Sequence, residues 1–156
     1  MSEPVSRLGQ GFFWQDLRVG QRFQTFRRTV TEADLVNFIN ATGMVEAIFI
    51  DANYQGGAIN GRPVPAVLTY ALIEGFILQS MIQGTGLAML ELHKKIFRPV
   101  MVNDTIHADV EVTSVRETSK GGRAVVISRI NVFNQNNEMV MTYTATRLLA
   151  GRPAAP

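Results

Sequence analysis

Side chains that could move protons or attack a substrate are few in this sequence, and they are dispersed. Glu46, Asp51 and Tyr54 fall in a segment that is otherwise apolar or glycine-rich, Glu74 interrupts a long apolar run, and His93 and His107 sit in stretches of strand-like pattern. Carboxylates and histidines are the usual general acids and bases. Cysteine is absent, which excludes disulfides, thiolate metal ligands and a thiol nucleophile, and suits a reducing compartment such as the cytoplasm. Two histidines far apart in the chain do not make a metal site, so no metal is expected.

Each of these residues also has a plainer use. Asp51 is a candidate base, yet an Asp leading into a short turn is more often a cap. Glu46 reads as solvated on the surface of its loop. His93, beside Lys94, reads as a surface residue, and His107 falls on the polar face of an alternating strand, where it is expected to be exposed. Glu74 is the second catalytic candidate, because a carboxylate in a buried helix needs a partner or a raised pKa. Its competing reading is that it marks a dimer seam or the one wet side of its helix.

The elements that must position these residues can be read from periodicity. "RFQTFRRTV" has the β-favouring residues of a strand. Thr31 with Asp34 three residues on resembles a capping box; Leu35, Phe38 and Ile39 make one apolar helical face, and Gly43 is the stop. Residues 44–65 are irregular, ending in Pro63 and Pro65. From Ala66, positions Val67, Leu68, Ala71, Leu72, Gly75 and Phe76 follow helical spacing, while Ile73, Ile77 and Met81 fill other faces. A helix over about 66–82 that is apolar nearly all round is buried on most sides. It is short for a membrane span and carries Glu74, Gln79 and Ser80.

Beyond it the pattern changes to strands: one near Leu90–Phe97, then "TIHADVEVTSV", "AVVISRINVF" and "MVMTYTATRLL", the last three separated by the turns "KGGR" and "NQNNE". Turns this tight join antiparallel strands, since parallel pairs need long crossovers. The economical architecture is α+β, one curved antiparallel sheet wrapped around one apolar helix. With 156 residues, 46% hydrophobic and 18% charged, the chain reads as one globular domain over 1–156, with flexible ends at 1–11 and 151–156. The net charge is +2 and the basic residues are scattered, which does not favour nucleic acid. The first residues lack the apolar core of a secretory signal.

Four stretches, "FFWQDLRVGQRFQTFRRTVTEADLVNFINATG", "GRPVPAVLTYALIEG", "FRPVMVNDTIHADVEV" and "NVFNQNNEMV", together resemble the MaoC-like dehydratases and their relatives, the (R)-specific enoyl-CoA hydratases. The resemblance covers residues 12 to 149 and implies the hot-dog fold. It implies a coenzyme A thioester as substrate or ligand, no separate cofactor, and a homodimer or a pairing with a homologous hot-dog subunit. In that family the helix ending in "TG" is followed by an Asp and, after four further residues, a His; together they hold the water that adds to an enoyl thioester.

Here those positions are Met44 and Phe49, and neither side chain can exchange a proton. A family glycine that offers its backbone N–H to the thioester oxygen matches Ala66, which is equally the plain start of a helix after proline. The resemblance therefore places Ala66, Met44, Phe49 and Val67 around an acyl group. Three readings stay open: a hydratase/dehydratase of weak or altered activity, a non-catalytic acyl-CoA-binding or structural subunit, and a thioesterase using Glu74 or Asp51.

Overall fold

The computed structural model describes residues 5–154. Of the ends expected to be flexible, residues 1–4 and 155–156 lie outside the described residues. The chain is tied in at Gly11, whose N–H donates to Gln83 O, and again at Gly151, whose N–H donates to Gly122 O.

A short 3-10 turn, Trp14–Asp16, leads into β1 (Arg22–Gln24) and β2 (Arg28–Thr29), followed by helices α1 (Glu32–Thr42), α2 (Ala47–Ile50) and α3 (Ala66–Ser80). Four long strands complete the chain: β3 (Gly86–Ile96), β4 (Thr105–Glu117), β5 (Arg123–Phe133) and β6 (Met139–Ala150). The sheet runs β1-β4-β5-β6-β3, with β2 also on β4, and all pairs are antiparallel. This is the expected α+β architecture, and it is the hot-dog fold.

Alternation makes one face of the sheet a core. Ile106, Ala108, Val110 and Val112 on β4, and Val126, Ile130 and Val132 on β5, are buried together with Leu68, Ile73, Phe76 and Ile77 of α3. Each large aliphatic side chain so buried contributes roughly 1.5–3 kcal/mol over leaving it exposed. Register shifts between Val112 and Ser114, between Val132 and Phe133, and twice in β3 add the local bends by which a sheet curves around a helix. No helix among the described residues is long and apolar enough to cross a membrane.

α1 forms as its caps dictate. The Thr31 hydroxyl accepts from Asp34 N–H, the Asp34 carboxylate accepts from Thr31 N–H, and Gly43 ends the helix at φ 71°. α3 stops at Ser80, two residues short of the expected limit, and β3 starts at Gly86, before the expected Leu90.

Three other expectations need correction. The single strand over 22–30 is two short ones, because Thr25 leaves the ladder: its N–H donates to Ala108 O while its hydroxyl accepts from Ala108 N–H. The irregular segment contains one helical turn, α2, begun by Glu46, whose carboxylate accepts from Ala47 N–H. His107 is buried, not exposed, at 7% accessibility. β4 lies inside the sheet, and the ring of Phe133 directly opposite stacks on the imidazole at 5.6 Å.

Candidate functional site

The N terminus of α3 is built by Pro65, whose carbonyl accepts from Leu68 N–H and Thr69 N–H. The first N–H groups of a helix have no partner within it. Those of Ala66 and Val67 make no hydrogen bond among the described residues. They carry the partial positive charge of the helix end, the setting in which backbone donors stabilise an oxyanion.

A cleft of about 360 Å³ opens beside Ala66. It is lined by Ile48, Phe49, Ile59, Pro63 and Val64 of the irregular segment and by Ile96, Phe97 and Pro99 at the end of β3. Among the described residues its one charged lining side chain is Arg98, a guanidinium that offers hydrogen-bond donors and no acceptor. A smaller cavity of about 30 Å³, roomy enough for a water molecule, adjoins it at Val64 and Ala66. Thr69 lines that cavity, is 1% exposed, and its hydroxyl has no partner among the described residues.

A family model, the FAS1-like dehydratase domain region, matches residues 18–143. The chain belongs to this dehydratase family. No curated protein matches it in sequence. Among solved structures it is similar to an R-hydratase from Pseudomonas aeruginosa, at 25% identity and a TM-score of 0.74 over 92% of this chain and 88% of that one. It is similar to a MaoC-like dehydratase from Rhodospirillum rubrum, at 22% identity and a TM-score of 0.82 over 92% and 99%. A Mycobacterium tuberculosis protein described as a double hot-dog fold aligns at 18% identity and a TM-score of 0.80, covering 97% of this chain and 47% of that one.

Against this dehydratase frame the expected residues separate. Phe49 and Ala66 meet in the cleft. Met44 does not line it; it is 36% exposed, just beyond the end of α1, and Val67 turns its side chain outward at 44%. Asp51 is exposed and serves as a cap, accepting from Asn53 N–H at 2.9 Å. His93 is exposed on β3 beside Glu91.

Glu74 stands elsewhere. Eight residues along α3 from Ala66 is about 12 Å of helix. There it lines a second groove of about 500 Å³, with Tyr70, Leu78 and the β3 residues Leu87 and Met89. Among the described residues its partners lie in its own chain. Glu74 Oε1 accepts from the Tyr143 hydroxyl at 2.7 Å and from Arg147 Nη2 at 2.5 Å. Burial, then the adjacent Glu74 charge, pushes the Tyr143 phenol well above the ordinary tyrosine range. Burial and Glu74 also raise Tyr70, whose ring meets Tyr143 edge-on at 5.1 Å.

Sequence reasoning passed over Arg62, Thr69, Tyr143 and Arg147. A signal existed for Arg147: it shares the inward register of β6 with Tyr143, Ala145 and Leu149, where an arginine requires a counter-charge. Arg62 carried none, because its partners come from other elements. Among the described residues no group of three or more His, Asp or Glu could hold a metal ion.

Proposed function

We propose that the protein binds an acyl thioester of the coenzyme A type at the N terminus of α3, and that it hydrates enoyl thioesters weakly or not at all. The observation that carries this is the cleft itself: Ala66, whose N–H is unpartnered among the described residues, lines it, and none of its described lining residues is a carboxylate or a histidine. The positions that hold the family's Asp and His correspond to Met44 and Phe49, so the general acid–base contribution, typically 10²–10⁴-fold, is lost. Calorimetry with a non-hydrolysable acyl-CoA analogue tests the binding. Ala66→Pro removes one donor at a helical position that tolerates proline, after a Pro65 already extended at ψ 135°. Weaker binding by this variant, with hydration of short enoyl-CoA near background, is the expected result; equal affinity in both proteins or brisk turnover overturns it.

The thioesterase reading has less support. It needs an available carboxylate at the thioester carbonyl, whereas Glu74 is engaged by Tyr143 and Arg147 and stands roughly two helical turns from Ala66.

A second hot-dog subunit, identical or homologous, fits the outer edge of β3. Among the described residues that strand pairs only with β6, and Leu87, Met89 and Leu90 are exposed along it, next to the groove above Glu74. Long bare edges are normally covered. Its charge order suits antiparallel self-pairing: a two-fold axis at His93 would set Glu91 of each copy opposite Lys95 of the other. A monomeric mass by light scattering at micromolar concentration overturns the pairing. The lack of cysteine fits a cytoplasmic setting for such an assembly.

A further inference from the structure

Phe49 lines two cavities at once. One is the cleft beside Ala66; the other, about 200 Å³, lies toward α1 and is lined by Glu32, Val36, Ile39 and Arg62. Phe49 is therefore the partition between them. It stands on α2, a single turn of four residues, which has little stiffness of its own.

What holds the partition is Arg62. Its Nη2 donates to the carbonyl of Phe49 at 3.2 Å, and its Nη1 pairs with Glu32 at 2.5 Å. Glu32 opens α1, the capped helix, and the backbone of Arg62 is fixed from the other side, its carbonyl accepting from Val102 N–H at 2.9 Å. A rigid fork thus spans from fixed backbone to fixed helix and grips the last turn of α2 between them. The grip leaves Arg62 Nε buried with no partner among the described residues, so the side chain is placed by its two ends.

We propose that Arg62 is a positioning residue that sets the depth of the acyl cleft by latching Phe49 in place. Released, Phe49 can swing and the two cavities join, which lengthens the space open to an acyl chain toward α1. The chain-length preference of the site is then a property of the latch. This rests on the acyl-thioester reading for its ligand, but the latch itself does not.

Two measurements separate them. The first is hydrogen exchange on the full chain, comparing wild type with Arg62→Met, which keeps the apolar stem and loses the fork. The amides of Phe49, Ile50 and Asp51, which bond within α2, should exchange at least tenfold faster in the variant, while those of α3 stay protected. Arg62→Lys, retaining charge without the fork, should restore only part of the protection. Unchanged exchange at α2, or loss of protection throughout the fold, overturns the latch.

The second is calorimetry with non-hydrolysable acyl-CoA analogues of short, medium and long chain. Wild type should favour the short chain; Arg62→Met and Phe49→Ala should each shift the preference toward the long chain by about tenfold, and the double variant should add little more. A shift with Phe49→Ala but none with Arg62→Met overturns the proposal. Local exchange as expected with no analogue bound by any variant upholds the latch and removes the acyl-thioester reading instead.

Discussion

Glu74 on α3 and Arg147 on β6 form an ion pair of 2.5 Å whose side chains retain only 11% and 6% of their exposure. Removing water from both charges is costly, and the pair recovers that cost only while both partners remain. Glu74→Gln or Arg147→Met alone should therefore destabilise by about 3–5 kcal/mol. Replacing both by apolar residues of similar volume should cost far less than the two single changes together. Urea denaturation of the four proteins in a double-mutant cycle measures the difference, and additive losses would show that the pair is not coupled.

Tyr143 gives the fold an alkaline limit. Its phenol is raised in the folded chain by burial and by Glu74, relative to an ordinary value of 10.0. Below that value both states are protonated and no stability is at stake; above it the unfolded chain ionises first, so stability falls as pH rises. Phenolate absorbance from this residue should appear together with loss of near-ultraviolet circular dichroism. A phenolate signal assigned to Tyr143 (absent in Tyr143→Phe) while the fold stays intact would contradict the burial.

The cap of α1 sets an acid-side dependence. Partial burial tends to raise the Asp34 carboxyl, but hydrogen bonds from Thr31 and the charge of Arg28 outweigh it and hold the group below its usual 3.8. A depressed carboxyl contributes stability above its unfolded value and loses it as pH falls through the folded one. Asp34→Asn should flatten the stability curve in that acid range, and Thr31→Ala should cost about 1 kcal/mol at neutral pH. Thermal melts across the acid range check both.

Thr69→Val should stabilise the protein by about 1 kcal/mol, since it replaces a buried hydroxyl that has no partner among the described residues with a methyl group of nearly the same shape. A lower melting temperature in the variant would mean that the hydroxyl has a bonding partner in solution, with the small cavity behind Ala66 the place to look for it.

Local patterns made the elements legible. Thr31, Asp34 and Gly43 delimit α1 through bonds that span three or four residues, and the alternation of β4, β5 and β6 with their short turns determines an antiparallel sheet with one apolar face. The mostly apolar character of α3 determines that it packs against the sheet, which buries Leu68, Ile73, Phe76 and Ile77, while Val67, Ala71 and Leu78 stay exposed in the single chain. The apolar character of the candidate acyl cleft was likewise readable at Phe49 and Ala66, because it follows from residue types.

Tertiary structure alone decided which polar groups meet. Thr25 breaks the first strand by bonding Ala108, 83 residues away, and Glu74 finds Arg147 at a separation of 73. Arg62 reaches Glu32 across 30 residues and Phe49 across 13, and His107 is buried by its place inside the sheet opposite Phe133. Periodicity reports the face on which a side chain lies, since that depends only on backbone geometry repeated along one element. It does not report what stands across from that face. Strand order and the path of each connection settle that, through contacts between elements that no local pattern encodes.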